Sequence, residues 1–231
     1  MMASRIKPEA ILFDLDGTLV DTAPDFFAVV NGLRKDQGKP ELVDEKIREQ
    51  VSNGGSALTR IAFDYPDQAG RDLATASSVF LEHRQQLLDR YFDNIGTLSG
   101  YFPGFETVIA ELEKQEIRWG IVTNKPRLYT DELLKKLNIQ CDVVICPDDV
   151  SKAKPDPEPL LKATEILELK AEQCWYVGDH IRDIQAGKAA EMFTLAASFG
   201  YIEADDSAEN WQADAIIDSP EALLEQLTIK K

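Results

Sequence analysis

Cysteine, basic residues and long apolar runs are all in short supply in this chain, and each shortage excludes a class of function. Cys141, Cys146 and Cys174 are the three cysteines among 231 residues. Their odd number, the absence of zinc-type spacing and their apolar, strand-like contexts read as small buried thiols, which argues against a disulfide framework or a thiolate metal site. No segment approaches about 18 uninterrupted apolar residues, so a membrane span is not expected. The opening residues 1–7 carry no apolar signal core, and the expected location is the cytoplasm. Lysine and arginine total 25 against 41 acids, a net charge of −16. That balance argues against nucleic acid or an anionic membrane as partner, and a small anionic substrate would need a bound cation nearby. Internal repeats and low-complexity tracts are absent too. The acidic patches Asp148-Asp149 and Asp205-Asp206 read as solvated loops.

What is present is enough for one good-sized core and a small appended unit, with 44% of residues hydrophobic. Short apolar runs predict strands at Ala10 to Asp14, Trp119 to Thr123, Val143 to Cys146, Cys174 to Gly178, Met192 to Ala197 and Ala215 to Asp218. Amphipathic segments between them predict helices at Phe105 to Gln115, Leu128 to Leu137, Pro159 to Leu169, Asp183 to Glu191 and Glu221 to Leu227. This alternation is that of βαβ units and an α/β parallel sheet. Between the first two strands the rhythm breaks. Helical patterns at Asp25 to Lys35, Glu45 to Val51, Ser56 to Phe63 and Asp72 to Tyr91 fill the gap without a strand, so residues 21–97 read as an inserted helical domain and residues 1–20 and 98–231 as the core.

Four constellations fall at or just beyond strand ends, where open parallel sheets place their ligands. Asp14-Leu15-Asp16-Gly17-Thr18 ends the first strand. Its two aspartates can point to the same side of an extended chain, and they repel unless a cation or shared proton relieves them. Thr123-Asn124-Lys125 ends the second, with a hydroxyl and an amide able to donate to phosphate oxygens or to cap a helix. Lys154-Pro155-Asp156-Pro157 sets a lysine in a proline-framed loop, either at an anionic site or at the surface. Gly178-Asp179 and Asp183 place one more acid at a strand end and another in the next helix's first turn, where a capping role is the alternative.

In their chain order, and with the helical insertion between the first and second, these motifs resemble the signatures of the haloacid dehalogenase superfamily. Within it the chain looks most like phosphoglycolate phosphatases and the similar N-acetylmuramic acid 6-phosphate phosphatases. The latter likeness rests on Thr123-Asn124-Lys125-Pro126, Ser52-Asn53-Gly54-Gly55, Phe199-Gly200-Tyr201 and Asn210-Trp211. His180 departs from the small polar residue many relatives carry after the fourth-motif aspartate. The resemblance implies a Rossmann-like core with a helical cap, and Mg²⁺-dependent hydrolysis of a small phosphorylated metabolite by a monomer or homodimer. It implies that Asp14 attacks phosphorus to form an aspartyl phosphate and that Asp16 serves as acid and then base. Asp14, the backbone carbonyl of Asp16 and Asp179 would hold Mg²⁺. Thr123 and Asn124 would hold the phosphoryl oxygens, Lys154 would offset their charge, and Asp183 would orient Lys154 or a metal-bound water.

Substrate choice is expected in the insertion, since the core sees only the phosphoryl group. Ser52, Asn53, Gly54 and Gly55 can offer hydroxyl, amide and closely approaching backbone N–H groups to a carboxylate or sugar hydroxyl; an ordinary helix-to-helix turn is the other reading. Arg48 and Arg60 read as surface residues unless one pairs with a carboxylate, and His83, Phe26, Phe27 and Phe63 read as helix packing or surface groups. A dehalogenase would need neither Asp16 nor Asp179. A phosphomutase of the β-phosphoglucomutase kind would use the same aspartyl phosphate, and a non-catalytic phosphate-binding module would tolerate loss of the acids.

Overall fold

A computed structural model describes residues 7–228. Residues 1–6, most of the opening read for an export signal and the start of segment 1–20, lie outside the described residues, as do residues 229–231. The described chain forms two compact units, one running to Asp21 and resuming at Tyr101, the other Thr22–Gly100.

The larger unit begins with β1 (Ala10–Phe13) and β2 (Val20–Asp21). The helical unit then contributes α1 (Ala23–Asp36), α2 (Asp44–Val51), α3 (Gly54–Phe63) and α4 (Ser78–Asn94). After β3 (Gly100–Tyr101), α5 (Phe105–Lys114) leads to β4 (Arg118–Val122), and α6 (Arg127–Leu137) to β5 (Val143–Ile145). Next come α7 (Glu158–Ile166), β6 (Cys174–Gly178), α8 (Ile181–Ala189), β7 (Phe193–Ala197), β8 (Ala215–Ile217) and α9 (Ala222–Thr228). Six strands make one sheet in the order β5-β4-β1-β6-β7-β8, every pairing parallel. The central strands β1 and β6 are buried along their whole length, as continuous apolar runs in a sheet covered on both faces should be. Leu12, Val122, Ile145 and Tyr176 pack with Leu160 and Ala163 of α7 on one face. Phe13 meets Phe105 edge-on with ring centres 5.5 Å apart. The order of the sheet changes direction at β1, which sends the loops after β1, β4 and β6 to one neighbourhood.

In the helical unit, Phe26 of α1 stacks on Tyr91 of α4 with ring centres 4.0 Å apart. Arg34 is buried, and its guanidinium donates to the carbonyls of Pro40 and Ile61 and to Asp64, each at 2.7 Å. Buried Asp25 accepts from the backbone N–H groups of Gly96 and Leu98, each at 2.7 Å, and from the Ser99 hydroxyl at 2.5 Å, tying the start of the unit to its end. The chain enters and leaves this unit through the paired strands β2 and β3. Among the described residues no helix is long and apolar enough to cross a membrane.

Three expectations from sequence need correction. The helix expected over 72–91 starts at Ser78, because the Ser77 hydroxyl caps it by accepting the Phe80 N–H at 3.2 Å. Upstream, the Asp72 carboxylate accepts the Ala74 N–H at 2.9 Å, so a local turn competes with the helix there. The helix expected from Ser56 starts two residues earlier, so Gly54 and Gly55 belong to the first turn of α3 while Ser52 and Asn53 form the turn between α2 and α3. The acidic patches are not simply solvated either. Asp148 accepts the Arg127 N–H at 2.9 Å, Asp149 pairs with the Arg127 guanidinium, and both oxygens of Asp206 lie 2.9 Å from the Trp211 indole nitrogen. The thiols follow the sequence reading in part, with Cys146 and Cys174 buried and Cys141 half-buried, and all three are free.

Candidate active site

Each of three neighbouring strands delivers its polar residue one step after the apolar run ends. Asp14 continues the ladder past β1, its N–H donating to the Val177 carbonyl at 2.9 Å, while Thr123 follows β4 and Asp179 follows β6. Lys154 arrives from the loop after β5. All four are buried.

Lys154 is the hub. Its ammonium lies 2.9 Å from Asp14, 2.7 Å from Asp183, 2.9 Å from the Val122 carbonyl and 2.7 Å from the Tyr176 hydroxyl. The Tyr176 hydroxyl is itself 2.9 Å from the Val122 carbonyl and 3.2 Å from Asp183, so it accepts from Lys154 and donates to one of these. Asp183 also closes the start of α8 by accepting the His180 N–H at 3.1 Å, so it both caps a helix and holds the lysine. His180 caps in return, its ring nitrogen accepting the Arg182 N–H at 3.2 Å, and burial followed by the Arg182 charge holds its pKa below the ordinary value.

The other predicted residues fall as follows. The Asp16 carboxylate turns to the Lys125 ammonium at 2.8 Å. The Thr123 hydroxyl accepts the Lys125 N–H at 3.1 Å, leaving its own proton to donate. The Asn124 amide, read from sequence as a phosphate donor, has another task in this structure: it donates to the Lys154 carbonyl at 2.9 Å and accepts the Lys154 N–H at 3.1 Å, clamping that loop. Ser52, Asn53, Gly54 and Gly55 lie in the helical unit at the α2–α3 junction. Lys125, Tyr176, Thr18 and Tyr201 are partners the sequence reading assigned no role. The Thr18 hydroxyl and the Tyr201 N–H donate to the two oxygens of Asp179 at 2.9 and 2.8 Å.

Electrostatics make this cluster expensive as it stands. One oxygen from each of Asp14, Asp179 and Asp183 lies within 4.8 Å of the others. Burial pushes Asp14 up to about 6, with Lys154 opposing and Asp183 reinforcing. Burial, then the charges of Asp14 and Asp183, push Asp179 up to about 8 against the pull of the Tyr201 N–H and the Thr18 hydroxyl. For Lys154 burial acts downward, but Asp14 and Asp183 outweigh it and hold its pKa above the ordinary lysine value. Hard carboxylate oxygens carrying more negative charge than one ammonium balances are the donor set a small divalent cation such as Mg²⁺ prefers, so the residues fit one.

Gly17 makes the close packing possible. Its φ is +85°, and a Cβ there would sit 2.1 Å from an Asp179 oxygen. Gly17→Ala combines an unfavourable backbone with overpacking, and is expected to cost about 2–4 kcal/mol in urea unfolding. A loss under about 1 kcal/mol would show that the turn relaxes at little cost.

A parallel α/β sheet that gathers Asp14, Asp16, Asp179, Asp183 and the buried Lys154 around the ends of adjacent strands has the layout of an enzyme site. Comparison with known proteins narrows the class. The profile of the family described as haloacid dehalogenase-like hydrolase matches residues 11–197. An N-acetylmuramic acid 6-phosphate phosphatase of Pseudomonas aeruginosa is 37% identical over 225 residues, covering 96% of this chain and 96% of its own. A phosphoglycolate phosphatase of Xanthomonas campestris pv. campestris is 40% identical over 220 residues, covering 94% of this chain and 96% of its own. A solved structure of a predicted phosphoglycolate phosphatase from Haemophilus somnus superposes with a TM-score of 0.80 at 24% identity, over 96% of this chain and 99% of that one, a likeness of fold. The chain belongs to the haloacid dehalogenase-like hydrolase family.

Proposed function

We propose that this protein hydrolyses a small phosphomonoester by way of an aspartyl phosphate on Asp14, with a metabolite of the phosphoglycolate or N-acetylmuramic acid 6-phosphate kind as substrate. The chain is a phosphatase of its family. The observation that carries the mechanism is the buried contact of Asp14 with Lys154 at 2.9 Å. It holds a nucleophile in its anionic form beside a cation that can also face a phosphoryl group.

Asp14 forms a bond to phosphorus as the ester oxygen leaves, and Asp16 gives that oxygen a proton. Water then attacks phosphorus, Asp16 takes its proton, and the bond to Asp14 breaks. The Thr123 hydroxyl and the Asn124 backbone hold phosphoryl oxygens, Lys154 offsets their charge, and Asp183 with Tyr176 fixes Lys154. Asp14, the Asp16 backbone carbonyl and Asp179 would hold Mg²⁺, which would supply positive charge to lower the repulsion between anionic nucleophile and anionic substrate. In this proposal the helical unit acts as a specificity cap, with Ser52, Asn53, Gly54 and Gly55 reading the part of the substrate beyond the phosphate.

The test is phosphate release from 2-phosphoglycolate, N-acetylmuramic acid 6-phosphate and a set of sugar phosphates, with Mg²⁺ or with chelator, and with the products identified. Mg²⁺-dependent release strongest on one compound is the expected result. No release from any of them, or equal release in chelator, would overturn the reading. Phosphoryl return to a sugar hydroxyl would indicate a mutase.

A further inference from the structure

Two lysines approach the two aspartates of the first motif, and they divide them. Lys154 takes Asp14, at 2.9 Å, and Lys125 takes Asp16, at 2.8 Å. The second pair is well protected, with side-chain exposures of 7% for Lys125 and 16% for Asp16. Its ends are 109 residues apart in the chain, so the contact is built by the fold and not by local sequence. Both backbones are fixed. The Lys125 N–H donates to the Thr123 hydroxyl at 3.1 Å and its carbonyl accepts from the Thr130 hydroxyl at 3.2 Å. On the other side, Asp16 sits in a turn closed by the Gly17 N–H donating to the Val20 carbonyl at 3.1 Å.

We infer that Lys125 is the positioning residue for Asp16, holding its carboxylate at the angle from which it protonates the leaving oxygen and later deprotonates water. This rests on the function proposed above. In the first displacement the ester P–O bond breaks as the Asp14–P bond forms, the proton moves from Asp16 to the departing oxygen, and Asp16 is left anionic facing the Lys125 ammonium. In the second, the water oxygen bonds to phosphorus, the Asp14–P bond breaks and the water's proton returns to Asp16. The fixed stem of Lys125 therefore sets where the Asp16 carboxylate waits between the two steps.

A positioning role for an acid has a signature that a general loss of packing or of phosphate affinity lacks. The poorer the leaving group, the more its departure needs the proton. The experiment measures kcat/KM over a series of aryl phosphates, from phenyl to dinitrophenyl, for wild type, Lys125→Met, Lys125→Arg and Asp16→Asn. Lys125→Met should lose about 10²-fold on phenyl phosphate and under about threefold on dinitrophenyl phosphate, steepening the dependence on leaving group. Lys125→Arg, which keeps the charge, should recover most of the wild-type slope. A uniform loss across the series in Lys125→Met, or a slope equal to wild type, overturns the inference. If Lys125→Met does not fold, an unchanged slope in Lys125→Arg with a steep one in Lys125→Gln decides in its favour, and equal slopes in both decide against. Asp16→Asn separates the two claims: a wild-type slope there sinks the proposed role of Asp16 itself, whereas a steep slope there beside a flat one in Lys125→Met sinks only the part played by Lys125.

Discussion

Asp14→Asn should lower turnover by about 10⁴-fold or more while leaving the protein folded. A carboxamide is close in shape to the carboxylate, so the sheet and the turn after β1 have no reason to move. What it lacks is the negative charge that attacks phosphorus in the proposed mechanism and that holds Lys154 from one side. Lys154 keeps Asp183 at 2.7 Å and the Tyr176 hydroxyl at 2.7 Å, so it stays buried and partnered in the variant. The loss should therefore appear in kcat and not as a failure to bind. Single-turnover reaction with acid quench checks this directly, since wild type should show a transient phosphoprotein and the variant none. Residual turnover within tenfold of wild type would mean that another group attacks phosphorus.

Asp179→Asn should move activity and stability in opposite directions. Turnover should fall by about 10³-fold, since the proposed mechanism loses a cation ligand. Without metal, however, the variant should be the more stable protein at pH 8. The sign follows from proton linkage: Asp179 is pushed up to about 8 in the folded protein, from 3.8 as its ordinary value, so the folded state holds its proton more tightly than the unfolded state. Stability from this group is complete below about pH 4 and is lost progressively as pH rises through about 8. Asp14, pushed up to about 6, adds a loss of the same sign over the lower part of that window. Asparagine has no proton to lose, so in chelator its melting temperature should exceed that of wild type by a few degrees at pH 8, about 2–4 °C for each kcal/mol recovered. The gap should close on acidification toward pH 4–5, about where the ordinary carboxyl titrates. Added Mg²⁺ should raise the wild-type melting temperature and leave the variant's nearly unchanged. A variant less stable than wild type at pH 8 in chelator, or a gap that widens on acidification, would contradict the account.

Asp14 and Asp179 were legible because each stands where an apolar run stops. Ala10 to Asp14 needed no partner information to read as a strand delivering a carboxylate, and the observed strand ends one residue earlier, at Phe13. Thr123 and Asp179 follow the same logic at β4 and β6. The partners of those residues were not legible, because they depend on approach between distant segments. Lys125 reads as one more lysine after a strand until the fold brings Asp16 to it, and Tyr176 reads as an ordinary strand aromatic until its hydroxyl is found against Lys154. Asn124 shows the opposite failure: its residue type suits a phosphate donor, and only the neighbouring loop reveals that both ends of its amide are taken. In the insertion, periodicity found the helices but ran past the turn before Ser78, since a hydroxyl cap and an aspartate turn leave a weaker mark than the apolar spacing on either side. Strands of two residues, such as β2 and β3, are too short to show any alternation at all.

The knot that Asp25 ties with Gly96, Leu98 and Ser99 has a consequence for how such a chain can change over time. A segment whose beginning and end are fastened to each other makes a cassette, and the cost of closing its loop is met inside it. The six-stranded sheet is threaded entirely by residues outside Thr22–Gly100, so drift within the cassette leaves strand register and the spacing of the acids untouched. If the helical unit reads the substrate as proposed, lineages that share this scaffold can diversify what they recognise while inheriting the same cluster of acids unaltered.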